Sequence, residues 1–318
     1  MEPCARGDAA GRTTLCRPNI FAGANGKVKC CPKVAGRARR PRGCDRVFCV
    51  MNKDYLEAAI ETAQEAGKIL REEFERPPLI AYKGEVDLVT QADKRSEEAI
   101  VKRLQRYFPN HSIAAEEGLG QETASDFCWH VDPLDGTTNF AHGYPCFAVS
   151  IALTQRGALV VGVVYNPIHN ELFAAARGSG VSLNGKRIFV SKVDTLAESL
   201  LCTGFPVQKR KANPNIHYYW EFTLRSHGVR RDGSAALDLA SVAAGRFDAF
   251  WEFGLKPWDT AAGVLLIEEA GGKVSDFHGT PYQLGGPVIF ATNGTIHEEA
   301  RAVALEISQR DPGAPLRR

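Results

Sequence analysis

Several absences narrow the chain before any motif is read. No apolar run comes near the roughly 18 residues that a membrane-spanning helix requires, so no span is expected. The N-terminus lacks a basic segment followed by an apolar stretch, the mark of a secretory signal, and the cytoplasm is the expected compartment. Internal repeats and low-complexity tracts are missing, which argues against a repeat array. From Met51 onward no cysteine is followed six positions later by arginine, so a Cys-x5-Arg nucleophile is excluded there. Histidine is sparse; His130 and His142 flank the central loop and are read as packing or surface residues, not as general acids.

What is present is an ordinary globular composition. The 318 residues, 44% hydrophobic and 24% charged, are enough for two packed layers or subdomains around a large core. The net charge of +2 conceals a division at Met51. Residues 1–50 hold eleven Lys or Arg against Glu2, Asp8 and Asp45, a balance of +8, which leaves −6 for the remainder. Six of the nine cysteines also lie in this first segment, without Cys-x-x-Cys pairs or any recognisable ligand spacing. A zinc or disulfide module and a basic RNA-binding arm are open alternatives. Its composition favours disorder, or a reading frame opened upstream of a start at Met51.

The chain is organised around residues 129–140, WHVDPLDGTTNF. Phe127, Trp129 and Val131 alternate with Cys128 and His130, predicting a half-buried strand that Pro133 should end. Asp132 and Asp135 flank that break. Paired carboxylates make a hard-oxygen site for a cation such as Mg²⁺. Gly136 permits close approach of a ligand, and Thr137 and Thr138 suit a helix start whose free N–H groups can receive an anion. Cation site and anion cradle in one loop point to a phosphate ligand; two ordinary surface turns are the plain alternative.

Three further acidic stations accompany the loop. Glu116 and Glu117 follow a predicted strand at 112–115 and form either a solvated turn or a metal ligand. Asp93 closes DLVTQAD at 87–93, where it either serves the first turn of a helix or joins an acidic site, with Lys83 nearby in sequence. Asp259 opens an apolar helix, DTAAGVLLIEEAGG, which Gly271 and Gly272 end. There it either caps the helix or serves a metal. Other helices are predicted at 52–74, 92–108, near 217–226, at 235–244 and at 296–307. Strands at 146–154, 159–165, 171–176 and 181–183 follow one another without helices, predicting antiparallel pairing. Strands at 200–203, 247–252 and 288–291 alternate with helices beyond a boundary near Asp194.

In this order, DLVTQAD, AAEEG at 114–118, DPLDGTTNF at 132–140, GSAALDLASVAAGRFDAFWE at 233–252 and PWDTAAGVLLIEEAGG at 257–272 resemble the inositol monophosphatase family of Mg²⁺-dependent, lithium-sensitive phosphatases, in its compact bacterial form. The resemblance covers residues 52–307 and implies an α+β fold, a layered α-β-α-β-α sandwich with an antiparallel sheet followed by a smaller mixed one. The corresponding domains are an extension at 1–50, subdomains at 51–193 and 194–310, and a tail at 311–318.

The resemblance also implies roles. Glu116, Asp132, Asp135 and the Leu134 carbonyl would hold one metal, and Asp132, Asp135 and Asp259 a second, in a site of two or three Mg²⁺ ions. Asp93, Thr137 and Glu116 would orient the attacking water, with Lys83 beside the outer shell. Gly136 and Thr137 would receive the phosphate, with Thr138, Asp135 and Asp259 also touching substrate. Glu252, Gly233 and Ala235 would face a hydroxylated ring, with Arg230 near. The implied reaction is hydrolysis of a phosphate monoester, foremost inositol 1-phosphate, by a homodimer. Fructose 1,6-bisphosphate, histidinol phosphate and 3′-phosphoadenosine 5′-phosphate are alternative substrates, with the loop at 206–215 and Glu252 choosing among them. A scaffold role with transcription machinery or nucleic acid is the alternative outside catalysis. Two departures stand out: Ala115 replaces the glycine many members carry before the Glu pair, and residues 1–50 have no counterpart.

Overall fold

The computed structural model describes residues 44–75, 80–82, 88–206 and 213–310. The first 43 residues, Lys83, most of the loop at 206–215 and the tail at 311–318, all named above, lie outside the described residues. The chain enters on helix α1 (Cys44–Phe74), which begins eight residues before the predicted start at Asn52. Residues 44–51 contain neither proline nor glycine, and a nucleated helix adds one hydrogen bond per residue until something stops it. Two short antiparallel strands, β1 (Ile80–Tyr82) and β2 (Leu88–Thr90), lead into α2 (Gln91–Tyr107).

A large sheet follows. Its strands are β3 (Ser112–Ala115), β4 (Phe127–Asp135) and, after the short helix α3 (Thr137–Ala141), β5 (Ala148–Gln155), β6 (Ala158–Asn166), β7 (Glu171–Ala176), β8 (Gly180–Leu183) and β9 (Lys186–Arg187). They lie side by side in sequence order. All neighbours are antiparallel except β3 and β4, which run parallel. The strands at 148–183 pair antiparallel as expected, and the sheet is mixed only at the β3–β4 edge. A tight hairpin forces its two strands antiparallel, whereas the long connection across residues 116–126 lets the chain return and run in the same direction.

The second half alternates: β10 (Leu200–Thr203), α4 (Asn215–Arg225), β11 (Gly228–Arg230), α5 (Ala235–Ala243), β12 (Ala249–Phe253), α6 (Pro257–Ala270), β13 (Lys273–Ser275), β14 (Val288–Thr292) and α7 (His297–Ser308). The strands form a mixed sheet in the order β11-β10-β12-β14-β13, parallel across the first three and antiparallel across the rest. Strands β11 and β13 span three residues each, too few to show a period, and sequence reading passes over them.

Five layers result. Ala59, Ala63, Ala66 and Leu70 of α1, with Ile100 and Leu104 of α2, pack on Trp129, Val131, Ile151 and Val163 of the large sheet. On its other face lie α5 and α6, whose Leu239, Ala262, Leu265 and Leu266 fill the space between Ala152, Val164 and Phe173 of the large sheet and Cys202, Phe250 and Ile289 of the small one. Phe222 of α4 and Ala300 and Ala304 of α7 close the outer face against Leu201, Trp251 and Phe290. The middle layer explains why α6 is apolar on all sides and why β5 and β6 read as continuous apolar runs: both faces of each strand are covered. Contact is tight enough that a Cβ on Gly162 of β6 would lie 2.9 Å from the Ala262 carbonyl of α6. Among the described residues no helix is long and apolar enough to cross a membrane.

Two histidines pack into this frame, His130 half-buried and His297 buried. His130 reaches the Thr154 hydroxyl, 3.2 Å away, as the packing role expected of it requires; His142 is exposed. His297, fully buried, lies between the Ser275 and Thr292 hydroxyls at 3.0 and 2.9 Å. Burial pushes the His297 imidazole down to about 4, assisted by the Lys273 charge. Its folded pKa is therefore below its unfolded value of about 6.5, and the unfolded chain binds the extra proton between those values. The contribution of neutral His297 is complete above pH 6.5 and declines as pH falls toward 4. In urea titrations at pH 7 and pH 5, wild type should lose more stability on acidification than His297→Gln; an equal loss would refute this account.

Candidate active site

The site is built where β4 becomes irregular. Pro133 does not end the strand as predicted; β4 continues to Asp135, and its register with β5 shifts between Asp132 and Asp135. In a regular strand, positions three apart point to opposite faces, and an irregularity that inserts backbone without pairing changes that phase. Both carboxylates consequently line one cavity. The residue after the strand, Gly136, has φ 96°, and a Cβ there would lie 2.9 Å from the Cys146 carbonyl, so only glycine turns the chain into α3 without strain.

Each neighbouring element holds part of this loop. The first half of α2 turns polar groups inward: Asp93, Ser96 and Glu97, at helical spacing i, i+3 and i+4, are all buried. The Ser96 hydroxyl donates to the Pro133 carbonyl at 2.8 Å. Glu97 receives the N–H groups of Glu117 and Leu119 at 2.6 and 2.7 Å, fixing the turn that carries Glu116. The Thr137 hydroxyl stands 3.1 Å from Asp93 Oδ1 and 3.0 Å from the Leu134 carbonyl, and its one proton can go to either. From the second half of the chain, the Ser234 hydroxyl and the Ala236 N–H at the head of α5 donate to Asp135 Oδ2 at 2.5 and 2.8 Å. Asn139 of α3 donates to the Cys146 and Asp232 carbonyls at 2.7 and 2.8 Å, a second tie across the same seam. Asp259 Oδ2 accepts the Lys256 N–H at 2.7 Å, so this residue caps α6 and also lines the cavity.

Glu116, Asp132, Leu134, Asp135, Gly136, Thr137, Thr138, Gly233, Ala235, Glu252 and Asp259 all line this cavity. Asp93 touches it through Thr137. Arg230 is exposed on β11, and the guanidinium that borders the cavity belongs to Arg231 instead. In a strand, neighbours face opposite ways, and the position where β11 ends decides which arginine turns inward. Asn139, Ser234 and Asp238 also line the cavity and are missed by sequence reading. A Ser cap before an apolar helix is a legible signal for Ser234; Asp238 carries none, being one acid in an Ala- and Leu-rich helix.

The electrostatics are those of like charges held in a poorly hydrated space. Burial raises Asp132 well above the usual carboxylate range, and Glu116, Asp135 and Asp259 add to the effect. Burial lifts Asp135 to about 6, against the lowering pull of its Ser234, Ala236 and Ala235 donors. Asp259 stands at about 7, raised by burial and by Asp135 and held back by the Lys256 N–H. Glu252 stands at about 8 for the same reasons, with Arg231 opposing. Among the described residues no three His, Cys, Asp or Glu side chains enclose an ion as they stand. The donor set nevertheless fits one: Glu116, Asp132, Asp135 and Asp259 bring carboxylate oxygens and like charge to one cavity, which a hard cation bound by oxygen would neutralise.

Fold and cavity together place the chain among the layered α+β phosphatases. The family model for the inositol monophosphatase family matches residues 51–310. An inositol-1-monophosphatase of Synechocystis sp. is 47% identical over 251 residues, 77% of this chain and 86% of its own. The Nus factor SuhB of Escherichia coli K12 is 46% identical, over 74% of this chain and 90% of its own. A solved inositol monophosphatase from Anabaena (Nostoc) sp. PCC 7120 superposes with a TM-score of 0.73 at 44% identity, covering 80% of this chain and 96% of that one. The chain belongs to the inositol monophosphatase family.

Glu97 provides a direct test of how the site is held. Glu97→Ala leaves two backbone N–H groups without their acceptor, and should lower stability by about 2–4 kcal/mol in urea denaturation, Glu97→Gln by less. An Ala variant as stable as wild type would mean that the turn at Glu116 is held by other contacts.

Proposed function

We propose that this protein is a Mg²⁺-dependent phosphate monoester hydrolase and that inositol 1-phosphate is its foremost substrate. The observation that carries the reading is the meeting of Glu116, Asp132, Asp135 and Asp259, from β4, α6 and the turn after β3, in the cavity that Gly136 and Thr137 border. Family membership supports the same chemistry.

In this reading Glu116, Asp132, Asp135, Asp259 and the Leu134 carbonyl hold two or three Mg²⁺ ions. When bound, such ions lower the pKa of water and neutralise charge on the reacting oxygens. The chain's own groups do the positioning. Thr137, its proton donated to Asp93 or Leu134, keeps a lone pair to accept a hydrogen from the attacking water. Glu116 orients the same water from the turn after β3. The N–H groups of Gly136 and Thr137 receive phosphate oxygens, beside Thr138. Gly233, Ala235 and Glu252 border the alcohol portion, with Arg231 taking the place that sequence reading assigns to Arg230. Lithium sensitivity, a homodimer and cytoplasmic residence extend the family's habits to this chain.

Asp259→Asn separates catalysis from folding. The amide oxygen can still accept the Lys256 N–H, so the cap survives, while the charge is lost. The variant should keep wild-type circular dichroism and lose roughly 10²–10³-fold in kcat/KM on inositol 1-phosphate with Mg²⁺. Near-normal turnover would remove Asp259 from the mechanism. A second reading, association with transcription machinery, takes its support from the Nus-factor name of the Escherichia coli relative. The folded, inactive Asp259→Asn protein should then bind purified RNA polymerase from the same organism; absence of binding in sedimentation would dismiss this role.

A further inference from the structure

Asp238 is an acid for which the fold itself offers no use. It lies on α5, whose other buried residues are almost all Ala, Leu and Val, and it is only 2% exposed. An acid in the first turn of a helix ordinarily accepts an N–H or faces water. Asp238 accepts none: among the described residues no donor meets its carboxyl, and the groups whose fields reach it are mainly Asp232, Glu252 and Asp135, all of its own sign. Arg231, exposed at the rim, is the opposing charge. A buried polar group without a partner is costly, and an apolar side chain here would avoid that cost.

The carboxyl faces the active-site cavity. Glu252, 8% exposed, shares the wall and likewise meets no donor among the described residues. Its carboxylate lies against the α-carbon of Gly204, where a Cβ would sit 2.1 Å from Oε2; the lack of a side chain at 204 leaves it room. Two carboxyls that no donor of the described residues meets thus border the cavity side by side. The same first turn of α5 donates to Asp135 through Ser234 and Ala236, so the distance between Asp238 and the reaction centre is set by one rigid turn.

Resting on the hydrolase reading above, we propose that Asp238 is a specificity-determining residue: its carboxyl accepts a hydrogen bond from a hydroxyl of the substrate's alcohol portion, beside Glu252, and thereby selects polyol phosphates over esters of hydroxyl-free alcohols. A site built to bond a hydroxyl rejects the analogue without one, because the buried acceptor is then left unpaired.

The test compares kcat/KM on inositol 1-phosphate with kcat/KM on 4-nitrophenyl phosphate, both with Mg²⁺. Asp238→Ala should lower the ratio of the two by about 10–100-fold, chiefly through KM for the polyol ester, and Asp238→Asn, which keeps an acceptor oxygen, by less. A ratio unchanged in the Ala variant, with both substrates falling together or neither moving, would overturn the assignment. Should Asp238→Ala fail to fold, the Asn variant decides: a ratio lowered threefold or more supports the role, and an unmoved ratio overturns it. Wild-type protein inactive on both substrates would instead sink the hydrolase reading, and this assignment with it.

Discussion

Repulsion among carboxylates confined in one cavity is the constraint on which the rest of the structure depends. Glu116, Asp135 and Asp259 raise the proton affinity of Asp132, and Asp135 that of Asp259, so side chains left free would swing apart into water. Each is held by a fixed donor: Asp135 by Ser234 and Ala236, Asp259 by Lys256, Asp132 by the Leu134 N–H at 3.0 Å. Glu116 is held indirectly, through Glu97 gripping the turn that carries it. The donors are mostly backbone N–H groups at turns and helix heads, which cannot rotate away. Rigid backbone is what lets a protein store like charge at one point.

That requirement explains the layered plan. The loop between β4 and α3 belongs to the large sheet, while its restraints come from α5 and α6, which lie between the sheets and are buried against both. Helix ends aimed at the loop need their helices fixed, and a middle layer covered on two faces by apolar contact supplies this. The tight approach of Gly162 to Ala262 belongs to the same economy: separation of sheet and helix by one methyl group would move the head of α6, and Asp259 with it. This chain thus combines an acidic cavity with an apolar central layer for one reason.

Much of the fold was legible because it rests on local periodicity. The helices carrying Leu70 and Ile100 announce themselves by spacing, the one carrying Leu265 by a long apolar run between Asp259 and Gly271, and the strands from Ala148 to Leu183 by apolar runs. What escaped notice was set by pairing between distant segments. The parallel β3–β4 edge depends on how residues 116–126 cross, and β11 and β13 exist because a neighbouring strand completes their hydrogen bonds. Pro133 misled for a related reason: the absent N–H predicts an end to pairing, yet the β4–β5 ladder accommodates it by a register shift. At the site, Asp132, Asp135, Glu116 and Asp259 stood out as acids at motif positions, whereas Asp238 and Arg231 did not, since nothing in an Ala-rich helix or an Arg-Arg pair says which side chain turns inward.

The sequence alone determined the kinds of element and the chemistry of their ends, because propensity, capping and hydrophobic period act within a few residues of chain. It also named the family, through five acidic and glycine-bearing motifs in order. Only tertiary structure decided which carboxylates share a cavity, which donors restrain them, and which acid meets no donor among the described residues. Those facts arise from contacts between residues about a hundred positions apart, such as Asp135 with Ser234, and no local rule encodes them.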